Sequence, residues 1–191
     1  KGSKRPDGGR GKEAVGSLMR SAEDDVADTI VPRLRAAGAD LSVVATVPLV
    51  REDDSGIVKA FSLPEDLSIL VDALEKTAAK FVVIDPVTAF LSEHIQSHND
   101  SSVRKAMRPL TDLAHESGAA ILLLRHLNKD SKNGNALYRG GGSIGCTGSA
   151  RSVMLLARAP DGDSLVLAQP KSNLAAAPGG QWRALPVDSG R

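Results

Sequence analysis

Three residues able to move protons or hold a cation close short apolar runs in this chain: Glu23, Asp85 and His126. Asp85 ends Phe81-Val82-Val83-Ile84, His126 ends Leu122-Leu123-Leu124-Arg125, and Glu23 follows a weaker strand candidate, Val15 to Ser21. A carboxylate in the place of Asp85 is suited to holding a nucleotide's magnesium through water. A glutamate beside it can orient or deprotonate an attacking water. Each residue alone also fits a plain role: Asp85 as a solvated strand end, His126 as a surface histidine, and Asp24 and Asp25 as acids that favour a helix N-terminus. The constellation is more specific than any member.

Such residues meet only if their strands lie side by side. The sequence predicts that they do, because apolar strands alternate with amphipathic helices, the pattern of βαβ units and a parallel sheet covered on both faces. Ligands of such sheets bind beyond the carboxyl ends of the strands. Asp24 or Asp25 offers an N-cap for a helix carrying Val26, Ile30, Leu34 and Ala37 on one face, with Pro32 kinking it or starting a second one and Gly38 ending it. Val43–Val47 reads as a short strand and Arg51 to Ala60 as a polar loop. Ser62 and Glu65 have capping-box spacing ahead of a helix with Leu67, Leu70, Val71, Leu74 and Ala78 inward. After a polar loop over Ser92–Asp100, a helix from about Ser101 to Glu116 buries Val103, Ala106, Met107, Leu110, Leu113 and Ala114. Ala119–Arg125 reads as a fully apolar strand, and Val153–Ala157 with Leu165–Ala168 as an antiparallel hairpin around Pro160-Asp161-Gly162-Asp163.

The 191 residues suffice for one medium domain, with a leading flexible segment over 1–13, the domain over 14–187 and a tail over 188–191. Aromatic residues are 3 % of the chain, so the core is aliphatic. A net charge of +1 gives no global argument for nucleic acid. The single cysteine, Cys146, excludes an intrachain disulfide and fits a reducing cytoplasm. No apolar run reaches the roughly 18–20 residues of a membrane span.

Several short motifs stand in order along the chain: Ser21-Ala22-Glu23-Asp24-Asp25, Val83-Ile84-Asp85-Pro86, Arg125-His126-Leu127-Asn128-Lys129, Gly148-Ser149-Ala150-Arg151-Ser152 and Lys171-Ser172-Asn173-Leu174. In this order they resemble AAA-type, RecA-like P-loop ATPases related to the hexameric replicative helicase of broad-host-range plasmids. Ser21-Ala22-Glu23-Asp24-Asp25 with Ala27-Asp28-Thr29-Ile30 and Pro32-Arg33-Leu34 resembles their second-strand motif. Val83-Ile84-Asp85-Pro86 resembles Walker B, and Arg125-His126-Leu127-Asn128-Lys129 the sensor strand and loop. Arg139-Gly140-Gly141-Gly142-Ser143 and Gly148-Ser149-Ala150-Arg151-Ser152 resemble the segment that follows, and Lys171-Ser172-Asn173-Leu174 a late lysine motif. The match spans roughly residues 5 to 180.

The resemblance implies a three-layer RecA-like α/β/α fold, ATP and Mg²⁺ as ligands, and a homo-oligomeric ring. Within it Glu23 would polarise water, Asp85 would hold magnesium through water, and His126 would sense the γ-phosphate. Arg151 would be an arginine finger reaching a neighbour's nucleotide, and Lys171 a second trans-acting cation, although Asn173 stands where better-known helicases carry arginine. Residues 128–143, with Lys129, Lys132, Tyr138 and Arg139, would line the channel for single-stranded DNA.

One departure matters. A phosphate loop requires G-x-x-x-x-G-K-[ST], whose amides cradle phosphates and whose hydroxyl binds magnesium. The only Gly-Lys pair is Gly11-Lys12, followed by Glu13, with Pro6 in place of the first glycine. The sequence therefore predicts a domain truncated ahead of its second strand, lacking the first strand and the phosphate loop, and inactive by itself. The alternative is a non-catalytic DNA-binding or ring-assembly module, a pseudo-ATPase.

Overall fold

The computed structural model describes residues 13–47, 50–52, 56–127, 144–159, 164–174 and 181–184. Its centre is a four-stranded, all-parallel sheet. Strand β1 is Ser17–Ser21, β2 is Val44–Thr46, β5 is Phe81–Asp85 and β6 is Ala120–Leu123, in spatial order β2-β1-β5-β6. The register sets Leu18 beside Val82 and Arg20 beside Ile84, and on the other side of β5 it sets Val82 beside Ile121 and Ile84 beside Leu123. Paired residues of parallel strands point to the same side, so Leu18, Arg20, Val82, Ile84, Ile121 and Leu123 share one face.

Helices α2 (Leu67–Thr77) and α3 (Asp100–Ser117) pack on that face. Leu70 and Leu74 of α2 and Val103, Ala106, Met107, Leu110 and Leu113 of α3 join Leu18, Val82 and Ile84 in the core. Helix α3 matches its sequence reading closely because both ends are chemically marked. Asn99 caps it by accepting from the Ser102 amide, and Gly118 ends it at φ +65°. Ala114 is only half-buried.

The opposite face carries the shorter helical layer. Asp25 caps a π-helical turn, Val26–Ile30, by accepting from the Ala27 and Asp28 amides. Helix α1, Val31–Ala36, follows directly with Pro32 in its first turn, so of the two readings of the proline, a kink or a second helix, the structure takes the second. The three layers and the parallel sheet make this a RecA-like α/β fold. A separate antiparallel sheet is formed by β7 (Ser152–Arg158), β8 (Leu165–Ser172) and β9 (Gln181–Ala184). The hairpin expected there is present and longer than its apolar runs.

Three local expectations give way. The polar loop over 51–60 contains an antiparallel pair, β3 (Val50–Glu52) with β4 (Val58–Ala60). A ladder of three residue pairs is held by backbone bonding and leaves no apolar alternation to read. Helix α2 starts after Asp66, one residue beyond the Glu65 of the expected capping box. Ser62 does bond Glu65, at 3.3 Å, but its amide donates to the Asp66 carboxylate at 2.8 Å. Strand β6 is covered on alternate residues: Ile121 and Leu123 pack on the core while Leu122 and Leu124 stay 40 % and 38 % exposed. Among the described residues, the helical layer on that face lies over β1, where Ile30 and Leu34 line a cleft with Met19.

Candidate functional site

The register explains how three distant acids and bases come to one place. Ser21 lies beside Asp85, and the Leu124 amide continues the β5–β6 ladder by donating to Ile84 O at 2.9 Å. Glu23 is two residues past Ser21 and His126 two residues past Leu124. Both chains therefore leave the sheet flanking Asp85 on the central strand and can close above it. They do: His126 Nε2–H donates to both Glu23 oxygens, at 3.1 and 3.0 Å. The Ala22 amide, donating to Asp85 O at 2.9 Å, ties the turn carrying Glu23 to the Asp85 strand. The two partners remain half or more exposed, 54 % for Glu23 and 68 % for His126, so the pair is open to ligand and solvent.

Asp85 is less exposed. Burial holds its carboxyl above the usual range, the negative charges of Glu23 and Asp24 push the same way, and His126 and Arg33 pull against them. A carboxylate raised in this way gains from any nearby cation. Beside it lies a cleft of about 140 Å³ lined by Met19, Ser21, Asp24, Ile30, Arg33, Leu34 and Asp85. At its mouth Arg33 pairs with Asp24 at 2.6 Å, and the Asp24 amide donates to the Ser21 hydroxyl. Sequence reasoning gave Arg33 and Asp24 no part in the site. Their approach across nine positions depends on the π-helical turn, which no local pattern announces.

Arg20 was also missed, and here a signal existed, because Leu18 and Arg20 alternate inward on β1. Its side chain is buried at 2 % exposure. The guanidinium lies 4.7 Å from the Phe61 ring and 4.5 Å from the Phe90 ring, and it donates to Val47 O at 3.1 Å. The two rings meet edge-on at 5.8 Å. Arg20 thus joins the strand leading to Glu23 to the segments that follow β2, β4 and β5.

Arg151 and Lys171 belong to the part of the chain carrying the second sheet. Helix α4, Gly145–Ser149, packs on α3 and runs into β7 through Ala150 and Arg151. Arg151 is exposed, and its side chain has no hydrogen-bond or ion-pair partner among the described residues. Lys171, on β8, donates to three carbonyls of the α4 segment. Lys129, Lys132, Tyr138 and Arg139 lie outside the described residues.

Ligands of open parallel α/β sheets bind beyond the carboxyl edge, which is where Glu23, Asp85 and His126 stand. A family model described as an AAA domain matches residues 2–132. The match covers more than half of the chain, which belongs to this family. No curated protein matches it.

AAA ATPase domains generally use ATP and Mg²⁺. The residues present fit one part of that requirement. Among the described residues no group of three or more His, Cys, Asp or Glu side chains could hold a metal ion by themselves. Magnesium, however, keeps most of its waters and takes one or two carboxylates plus phosphate oxygens. Asp85, raised by burial and by two neighbouring acids, suits such a single-carboxylate role. Among the described residues, no helix is long and apolar enough to cross a membrane.

Proposed function

We propose that this domain works in an ATP-driven motor of the replicative-helicase kind acting on DNA, and that its 191 residues supply the water- and magnesium-binding side of the ATPase site. The observation that carries this reading is the closure of Glu23 and His126 over the end of the Asp85 strand. When bound, magnesium triphosphate supplies an electrophilic γ-phosphorus. Asp85 would hold the magnesium. Glu23 orients the attacking water and accepts its proton. His126 restrains Glu23 and, on releasing it, is placed to donate to a phosphate oxygen. Arg151, exposed and uncommitted among the described residues, is a candidate to reach a neighbouring subunit's nucleotide in a ring. Lys129, Lys132, Tyr138 and Arg139 are candidates for contact with single-stranded DNA, which would show as binding that weakens steeply with salt.

The G-x-x-x-x-G-K-[ST] motif is not among these residues, so the reading requires phosphate-binding groups outside them. Titration of the 191-residue chain with a fluorescent ATP analogue and Mg²⁺ is expected to show no micromolar binding. Micromolar affinity would overturn that requirement. In a longer protein that includes a phosphate loop, Glu23→Gln should lower turnover by about 10²–10⁴-fold. Unchanged turnover would refute the role of Glu23. If that protein lacks turnover altogether yet binds DNA, the domain is the non-catalytic binding or assembly module instead.

A further inference from the structure

The resemblance of Lys171 to a trans-acting cation sits beside an unexpected local geometry. Its ammonium donates to Ala150 O at 2.8 Å, Thr147 O at 2.9 Å and Gly148 O at 3.0 Å. An ammonium carries three protons, and all three are engaged inside its own chain. The acceptors are the last carbonyls of α4 and the residue after it, which a helix leaves without amide partners. The negative end of the helix adds to the attraction. One residue further on, the Asn173 amide donates to Arg151 O at 2.8 Å. The ladder then continues with Ser152 opposite Ser172 and Val153 opposite Lys171. The peptide units on both sides of the Arg151 Cα are therefore fixed by β8 and the residue after it, on one side through the Lys171 side chain and on the other through the Asn173 backbone.

We propose that Lys171 is a positioning residue for Arg151: it clamps the backbone from which the arginine projects and does not itself reach another subunit's nucleotide. For Lys171 to reach a phosphate, it would have to abandon three half-buried carbonyls at once. The geometry also gives the substitution of Asn173 a reading. A residue at this position serves the clamp through its backbone amide, which any residue but proline supplies. The catalytic part of the proposal rests on the Arg151 reading above; the clamp itself does not.

Two measurements separate them. In the 191-residue chain, Lys171→Met should speed hydrogen–deuterium exchange at the Gly148, Ala150 and Asn173 amides about tenfold while leaving β5 and α3 unchanged. Lys171→Arg, whose planar fork cannot meet three carbonyls as an ammonium does, should restore that protection only in part. Unchanged exchange at those amides, or loosening spread evenly through the core in both variants, would overturn the clamp. In a ring-forming protein that turns over ATP, Lys171→Met should lower kcat with little change in KM. It should add no further loss in an Arg151→Ala background. Losses that multiply would overturn the proposal and place Lys171 on the nucleotide. Turnover unaffected by Arg151→Ala alone would sink the arginine reading, with the exchange data still deciding the clamp.

Discussion

Replacing Arg20 tests whether a buried cation holds β1, the strand leading to Glu23, in place. The guanidinium sits between two phenyl rings and bonds a backbone carbonyl at 2 % exposure. Each ring contact is worth about 2 kcal/mol where water is excluded, and a hydrogen bond from a charged donor about 1.5–3 kcal/mol. Against these stands the cost of burying the charge, which also holds its pKa below the ordinary value. Arg20→Ala removes the attractive contacts, strands Val47 O and opens a cavity beneath Phe61 and Phe90. We expect it to destabilise the chain by about 3–5 kcal/mol. Arg20→Met keeps the apolar stem and removes the buried charge, so its loss should be smaller, about 1–2 kcal/mol. Urea unfolding followed by circular dichroism measures both. The Ala22 amide, bonded to Asp85 O, should also exchange faster in Arg20→Ala, because Arg20 anchors the strand that ends beside it. If Arg20→Ala unfolds within about 1 kcal/mol of the parent, the guanidinium is not a structural anchor and the reasoning fails.

Asp85 makes a pH prediction of definite sign. Its carboxyl is raised by burial first and by Glu23 next, so the folded state binds its proton more tightly than the unfolded state does. That contribution falls away as pH rises from the unfolded carboxyl's pKa through the folded one. Thermal melts of Asp85→Asn should therefore lack this decline and exceed the parent's melting temperature at neutral pH without Mg²⁺; a lower melting temperature would count against the burial argument. His126→Ala should change stability by less than about 1 kcal/mol, because the exposed Glu23 pair is weak; a larger loss in denaturant melts would mean that the pair is structural. Gly118→Ala should cost about 1 kcal/mol by chemical denaturation, since φ is +65° and a Cβ there would meet no neighbour within 4 Å. A neutral result would show that the α3 cap relaxes.

Legibility in the sequence followed the range of the forces involved. Strand β5 was readable because an unbroken apolar run ends in a single carboxylate, and α3 because its buried face repeats at helical spacing; its caps, Asn99 and Gly118, came from the structure. Pro32 was readable as an interruption, a kink or a new helix, because a missing amide is a local fact; which of the two it is came from the structure. The candidate site was legible as three strand ends, but their meeting depended on an order in which β5 lies between β1 and β6. Parallel-sheet logic supplied the common edge; the direct bond from His126 to Glu23 came only from the register. The β3–β4 pair escaped because a three-residue ladder is held by backbone bonds, which leave no mark on side-chain pattern.

What the sequence determined by itself was therefore the α/β class, the main helices and the placing of Glu23, Asp85 and His126 as candidates at strand ends, all set by local periodicity and by residue type. Tertiary structure alone decided that Arg33 guards the Asp85 cleft, that Arg20 is held between Phe61 and Phe90, and that Lys171 grips the carbonyls ahead of Arg151. In each of these a long, flexible cation finds partners many residues away. Its charge is visible in the sequence, but the atoms it reaches are chosen only when the elements pack.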